Sequence, residues 1–216
     1  MTAPTDSLAA LLGGRRGALD ATAPPLAFGV GWLAAGQSIG WGAAVALAVA
    51  AVIAVWRLSR GEKVVAVLSG LGAVAAGALI ALYTGRAEDF FLVQLLSNAL
   101  SALAFALSIL VRWPLLGVIV GLLLGQKTRW RRDPALVRAY GRASWVWTGQ
   151  YLLRVLVYGY LWWSAQVVAL TVARVAMSWP LFAVVMAISA VVLRRSLPAD
   201  HPGIRHPVSP DGAARD

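Results

Sequence analysis

The stretch VVAVLSGLGAVAAGALIALY, from Val64 to Tyr83, holds 20 residues without a charged side chain. A helix rises about 1.5 Å per residue, so this segment would be about 30 Å long, the thickness of the hydrocarbon core of a bilayer. Ser69, Ala73 and Gly77 recur at a spacing of four, which lets neighbouring helices approach closely in a membrane. The stretch therefore predicts a membrane-spanning helix.

Similar apolar runs occupy most of the chain. The protein is 60% hydrophobic and 13% charged, with a mean hydropathy of +0.74, which exceeds what a soluble domain can bury. A span needs about 20 apolar residues, with a range of about 17–25. The pattern predicts an all-α fold, a polytopic transmembrane helix bundle of about six spanning helices: Pro24–Ser38, Trp41–Leu58, Val64–Tyr83, Phe90–Val111, Ser144–Ser164 and Val168–Leu193.

Prolines are predicted to mark helix starts, because the first-turn N–H groups of a helix have no intrahelical partner. Pro24 and Pro25 would open the first span, and Pro114 and Pro180 would open later segments. The last stretch, Val168–Leu193, is long enough to include a break.

One apolar segment, Trp113–Gly125, has only 13 residues, about 20 Å as a helix, which is too short to cross a bilayer. We therefore expect an interfacial or re-entrant helix. Gly117, Gly121 and Gly125 form a stripe at a spacing of four, which would let this helix press against a neighbour.

The basic residues indicate the orientation. Lys and Arg favour the cytoplasmic side, and of the 19 only Arg86 falls in an external loop, while Arg154 and Arg174 lie within apolar sequence. We expect a multi-pass protein of the bacterial cytoplasmic (plasma) membrane with both termini cytoplasmic. The predicted parts are a cytoplasmic N-terminal tail at residues 1–22, a transmembrane domain at 23–195 and a disordered cytoplasmic C-terminal tail at 196–216. The transmembrane domain contains a basic cytoplasmic loop at residues 126–143.

Residue types limit the chemistry that we expect. The chain has no Cys, and its two His, His201 and His206, lie in the Pro-rich tail. It has no nucleotide-binding loop, metal cluster or nucleophile motif. The basic residues sit in short clusters between apolar runs, so a nucleic-acid surface is a poor explanation for them. We expect no enzyme activity, no cofactor and no metal.

A candidate intramembrane polar site centres on Arg154, because an arginine in mid-bilayer is costly and usually faces the bundle interior or water. Gln150 and Tyr158 share its helical face. The fourth predicted span carries a second polar stripe, which includes Gln94, Asn98 and Ser101, and we expect Arg154 to point towards Gln94 or Asn98. Either a structural clasp or a site for an anion would explain the arrangement.

Two charged segments lie outside the apolar runs. Arg86, Glu88 and Asp89 form an external loop, which we interpret as a solvated turn. We expect Arg174 to lie close to Glu88 or Asp89, completing an outer-face charged cluster. The basic loop supplies candidate contacts to anionic lipid: Lys127, Arg129, Arg131 and Arg132.

Four polar strings are not dictated by hydrophobicity: GGRRGALDATAPPLAF from Gly13, RLSRGE at Arg57–Glu62, TGRAEDFF at Thr84–Phe91 and WRRDPALVRAY at Trp130–Tyr140. Together they resemble an actinobacterial integral-membrane family of unknown function, rich in alanine, valine and leucine. More distantly, the order of features is similar to the intracellular septation protein A family of inner-membrane proteins.

The resemblance implies a membrane protein that supports cell-envelope or division processes through partner contacts. Its expected partners are the lipid bilayer and other membrane proteins or a second copy of itself. The alternative, suggested by Arg154 and the polar stripes, is a transporter or channel for a small anion or a lipid-like solute.

Overall fold

The computed structural model describes residues 14–198, 201–205, 207 and 208, with side chains from Thr22 onwards. It divides the chain into two compact units. The first comprises Met1–Leu96 and Leu156–Pro180, and the second comprises Ser97–Val155 and Leu181–Asp216. Most of the predicted N-terminal tail lies outside the described residues.

All regular structure in these described residues is helical, which confirms the predicted all-α class. The elements, in chain order, are α1 (Gly14–Ala34), α2 (Ile39–Ser59), α3 (Val64–Thr84), a 3₁₀ turn (Ala87–Phe91), α4 (Leu92–Leu110), α5 (Leu115–Leu123), a second 3₁₀ turn (Arg129–Arg132), α6 (Pro134–Trp163), α7 (Val167–Ala176) and α8 (Trp179–Ser196).

By length and composition, four stretches of the described chain could cross a membrane. They are Ile39–Ser59, Val64–Thr84, Ala87–Leu110 and Val167–Ser196. Large apolar side chains on these helices face outwards; Val65 is 81% exposed and Leu100 is 67% exposed. Apolar surface of this extent is unfavourable in water and suits a lipid environment.

The prediction that Pro24 and Pro25 begin a helix is wrong. α1 begins at Gly14, so both prolines lie well inside it and both are buried. Proline costs least in a first turn, but in membrane helices neighbouring groups can satisfy the carbonyls that it leaves free. Pro114, in contrast, is the N-cap of α5, and Pro180 is the second residue of α8, as predicted.

The boundaries of α6, α7 and α8 test two further predictions from the sequence. The expected break in the last apolar stretch is present, since α7 ends at Ala176 and α8 begins at Trp179. The helix α6 has 30 residues and begins at Pro134, ahead of the apolar run from Ser144. Residues 134–143, assigned to the basic loop by the sequence pattern, are therefore helical.

The core of the first unit is built on aromatic stacking. The rings of Phe28 and Phe90 stack with centroids 4.0 Å apart, and Phe91 meets Phe28 edge-on at 6.1 Å. Gly77 lies against Phe90, where a Cβ atom would come within 2.6 Å of the Phe90 carbonyl oxygen. Gly77 thus allows the close approach expected of the small-residue stripe on α3. The other two members of that stripe are exposed.

Candidate functional site

Within the second unit, the polar faces of α4 and α6 contact each other. A side-chain hydrogen bond joins Tyr151 of α6 to Ser101 of α4, and the ring of Tyr151 lies 5.7 Å from that of Phe105. The guanidinium carbon of Arg154 lies 6.0 Å from the Tyr151 ring centroid. Tyr151 was not among the predicted site residues, although it sits three positions before Arg154 and so shares its helical face.

Two residues of the predicted intramembrane polar site, Asn98 and Gln150, are deeply buried in the second unit. Asn98 is 1% exposed and Gln150 is 5% exposed. The Gln150 side-chain oxygen meets no hydrogen-bond partner among the described residues. Burial of polar groups between helices is typical of packing contacts as well as of sites.

The remaining predicted members, Gln94 and Tyr158, belong to the first unit. They line one small pocket together with Phe91, Leu170 and Arg174. This pocket associates Arg174 with the polar residues of α4 and α6. Its expected closeness to the acidic residues of the external loop stays a prediction.

The loop predicted to be external, at residues 86–89, is not a solvated turn, and that interpretation is wrong. Its two acids are buried in the 3₁₀ turn: Glu88 is 7% exposed and Asp89 is 3% exposed. Arg86 Nε lies 2.8 Å from Glu88 Oε1, and Trp162 Nε1 donates to Asp89 Oδ1 at 2.8 Å. The Arg86 guanidinium lies over the Trp162 ring, 5.2 Å from its centroid.

This arrangement satisfies the buried charges from within the first unit. The hydrogen bond with Glu88 raises the pKa of Arg86 above its ordinary value, against the opposing effect of burial. A carboxylate buried with a donor on its oxygen is held in place, because losing the donor would leave a costly unpaired group. The cluster therefore anchors the turn between α3 and α4.

The basic segment after α5 is fixed by Trp130, which is 1% exposed. A Cβ atom added at Gly117 or Gly121 would come within 2.8 Å and 2.7 Å of the Trp130 ring, so only glycine leaves room for the indole. This confirms that the glycine stripe admits a neighbour. Gly125 does not take part: it has a φ of +66° and open space around it.

Burial of Trp130 turns the neighbouring cations outwards. The candidate lipid contacts Lys127, Arg129, Arg131 and Arg132 are all exposed. The Arg131 guanidinium lies over the Trp113 ring, 3.6 Å from its centroid, within the range of a cation–π interaction. We call these four residues with Trp113 the basic platform.

A junction that the sequence did not predict lies beside the platform, at Asp133. Its Oδ1 accepts hydrogen bonds from the backbone N–H groups of Ala135 at 3.0 Å and Leu136 at 3.2 Å, capping the start of α6. Its Oδ2 accepts from the Val208 N–H at 2.9 Å and lies 2.8 Å from His201 Nε2. One carboxylate thus joins a helix start to a distant segment.

The geometry fixes the tautomer of His201. The Gly203 N–H donates to His201 Nδ1 at 3.0 Å, so the ring proton is on Nε2 and is donated to Asp133. Burial tends to raise the pKa of Asp133, but the hydrogen bonds from Val208, His201 and Leu136 outweigh it and lower the pKa below its ordinary value. Both ring nitrogens are engaged, so the two hydrogen bonds fix the orientation of the His201 ring.

Gln126 holds the same segment from a second point. Its Nε2 donates to the carbonyl oxygens of Ile204 at 2.8 Å and Arg205 at 3.1 Å. Residues 201–205, 207 and 208, which fall within the predicted disordered tail, are therefore placed by hydrogen bonds to Gln126 and Asp133. We call this segment the docked strap. The sequence did not predict this contact, because His201 and Asp133 lie 68 residues apart and no local sequence pattern connects them.

Within the described residues, no three side chains of His, Asp or Glu stand close enough together to hold a metal ion. The sequence model of a family described as "Protein of unknown function (DUF3159)" matches residues 12–200. No curated protein and no solved structure matches the chain.

Proposed function

The chain belongs to this family of unknown function, and we propose that it is a multi-pass protein of the bacterial cytoplasmic membrane that supports the cell envelope or division through contacts with membrane partners. In the part of the chain that the structure describes, four stretches are long and apolar enough to span a membrane. We propose that α1 and the apolar part of α6 complete six spans and that both termini are cytoplasmic. The distant similarity to the septation protein A family and the resemblance to an actinobacterial family favour this role.

The observation that carries the proposal is the basic platform. Trp130 packs against Gly117 and Gly121 of α5, and the Arg131 guanidinium lies 3.6 Å from the centroid of the Trp113 ring. None of the four platform cations forms an ion pair with a carboxylate among the described residues. Arg131 is held on the Trp113 ring and so loses less entropy on binding than a side chain without such a contact. Together the four exposed cations are suited to an acidic surface of a partner or to anionic headgroups.

Polar residues inside the apolar helices also support a role other than transport, because several of them form hydrogen bonds between packed helices. Trp147 of α6 donates to the Ser189 hydroxyl of α8 at 3.1 Å, and Tyr151 bonds to Ser101. Hydrogen bonds of this kind hold membrane helices together. They account for part of the polar stripe without a transported solute.

The topology is tested first, with single cysteines at two exposed threonines in a chain that has no native Cys. We expect Thr84→Cys to react with a membrane-impermeant maleimide in intact cells and Thr128→Cys to react only after lysis. Labelling of Thr128→Cys from outside would refute the cytoplasmic position of the platform.

Partner contact is tested by photo-crosslinking from position 129 in the native host. A specific membrane partner should be captured by the wild type and lost when Arg131 and Arg132 are both changed to Gln. The matched control is Arg194→Gln with Arg195→Gln, an exposed basic pair at the end of α8, which should keep capture. Equal capture by both double variants would contradict a role for the platform.

A second candidate function, transport of a small anion, rests on Arg154, which lies within α6 beside Tyr151. The predicted site, comprising Arg154 with Gln150, Tyr158, Gln94, Asn98 and Ser101, is retained as a proposal here. Flux into proteoliposomes should depend on Arg154 if it binds the solute, and Arg154→Gln should abolish it. Arg154→Leu, if the residue is only a clasp, should leave folding and cellular function intact.

A further inference from the structure

We propose that the first unit binds a phospholipid with an anionic headgroup, one acyl chain lying in a groove between α2 and α3 and the headgroup resting on the basic turn that joins them. The groove is lined by one face of each helix, including Ala54 and Arg57 of α2 and Val67, Gly70 and Val74 of α3. Pro24 of α1 also lines it.

The shape of the groove suits a flexible chain. Its volume is about 60 Å³, several times the roughly 10–15 Å³ that a single water needs. Its lining spans positions 50 to 57 on α2 and 67 to 74 on α3, about 10 Å along each helix. Almost every lining side chain is apolar, so water in the groove would find few hydrogen-bond partners.

Gly70 keeps the groove open. A Cβ atom at this position would meet nothing within 4 Å, and the residue lies midway along the lining of α3. The absence of a side chain is therefore not required by a packed neighbour, as it is at Gly77. A larger side chain at position 70 would instead occupy the groove.

Charge at one end of the groove identifies the ligand class. Arg57 stands in the last turn of α2, Arg60 is the C-cap of α2, and Lys63 is the N-cap of α3. The acid nearby is Glu62, whose Oε2 lies 2.7 Å from Arg57 Nη2. Three cations against one carboxylate leave an excess of positive charge, which complements a phosphate.

The side chain of Arg60 is already positioned for a headgroup. Its guanidinium carbon lies 4.5 Å from the centroid of the Trp56 ring, and both residues are exposed. Indole rings and cations at a helix end are typical of the interface between headgroups and hydrocarbon. A groove in two apolar helices that ends in such a turn matches a molecule with both an acyl chain and an anionic head.

The test uses the purified full-length chain and measures lipid retention by native mass spectrometry. The probes are palmitoyl-oleoyl phosphatidylglycerol and palmitoyl-oleoyl phosphatidylcholine, which differ only in the headgroup. Wild type should retain phosphatidylglycerol about tenfold more strongly, the size expected of one or two surface cations. Arg60→Gln with Lys63→Gln should lower this preference severalfold.

The groove itself is tested by Gly70→Phe, which should abolish most phosphatidylglycerol retention. The matched control is Gly72→Phe on the same helix, where a Cβ also meets open space but which does not line the groove. It should retain the lipid as wild type does. If Gly70→Phe does not yield folded protein, Gly70→Leu takes its place.

Three results would overturn the proposal: equal retention by the position-70 and position-72 variants, equal retention of the two lipids by wild type, or displacement of phosphatidylglycerol by free glycerol phosphate at a similar concentration. The last would mean that the basic turn binds phosphate without the groove. None of the variants at positions 60, 63, 70 and 72 changes the basic platform, and the proposed function is tested separately by crosslinking from position 129.

Discussion

His201 Nε2 lies 2.8 Å from Asp133 Oδ2, and the two side chains are 5% and 3% exposed. Asp133 is thereby saturated: the α6 amides occupy one of its oxygens, and His201 with the Val208 amide occupies the other. A buried carboxylate is costly unless it is hydrogen-bonded throughout. The docked strap is therefore part of what makes a charged residue tolerable at this position.

Asp133→Asn should release the strap. The amide group of Asn cannot accept from the Val208 N–H or the His201 Nε2–H while its oxygen caps α6, so two donors are left unpaired. We expect trypsin to cleave after Arg205 about tenfold faster, since cleavage follows the population of the open state. The control Ser196→Ala removes only a weak contact of 3.4 Å with Arg142 and should leave the rate unchanged.

Strap docking should also depend on pH through this carboxylate. The pKa of Asp133 is lowered in the folded protein, so its contribution to docking is present above the ordinary value of about 3.9 and is lost as the pH falls through the lower folded value. Fluorescence anisotropy of a dye on Val208→Cys should fall in that acidic range. The same step should be missing in the Asp133→Asn background; if it persists, another group controls docking.

Gly121→Ala should destabilise the second unit. The new Cβ would lie 2.7 Å from the Trp130 ring and 2.9 Å from the Lys127 carbonyl oxygen, and overpacking of this kind costs about 1–3 kcal/mol. Thermal unfolding in detergent measures the loss. Gly149→Ala in α6 meets open space and should stabilise by up to about 1 kcal/mol; a similar loss there would show that the destabilisation by Gly121→Ala is not specific to the contact with Trp130.

Tyr140→Phe should leave stability unchanged or increase it. The Tyr140 hydroxyl is buried without a hydrogen-bond partner among the described residues, and an unsatisfied polar group costs about 1–3 kcal/mol. A decrease of more than about 1 kcal/mol in the free energy of unfolding would show that the hydroxyl has a partner after all.

The same phenol gives a titration signal. Burial, with a smaller effect of Asp133, raises the pKa of Tyr140 to about 12. Because the folded value is raised, its contribution to stability is complete below the ordinary value near 10 and is lost as the pH rises through about 12. Tyrosinate absorbance of wild type minus that of Tyr140→Phe should show this late step.

Trp162→Phe removes the donor to Asp89 and keeps most of the ring volume. It should lower the free energy of unfolding by about 1–3 kcal/mol, because a carboxyl oxygen that is buried in the native protein loses its hydrogen bond. Adding Asp89→Asn should recover part of the loss by removing the charge. If the single variant is as stable as wild type, the contact of 2.8 Å contributes little.

Apolar runs with clear ends predicted helices well. The runs Trp41–Leu58 and Val64–Tyr83 correspond to α2 at Ile39–Ser59 and α3 at Val64–Thr84. Hydropathy does not predict the start of a helix correctly where the helix continues through polar residues. The charged residues before Pro24 lie within α1 from Gly14 onwards, and α6 starts from a cap at Asp133, ahead of its apolar run.

Side-chain partners were harder to predict than helices. The glycine spacing at Gly117 and Gly121 indicated that a neighbour would approach, but nothing in it identified Trp130. The burial of Glu88 and Asp89 depends on a 3₁₀ turn and on Trp162, which is 73 residues from Asp89. Such contacts are set by tertiary packing and leave no periodic trace in the sequence.

The Asp133 junction also sets an order of assembly during synthesis. His201 follows Asp133 by 68 residues and Val208 follows it by 75. At about 5–20 residues per second, a ribosome needs roughly 3–15 s to supply them after Asp133 has been made. Throughout that interval the start of α6 is capped on one oxygen only. A nascent chain halted just after α8 would therefore hold every described helix and still lack the partners that complete Asp133, the most buried carboxylate among the described residues.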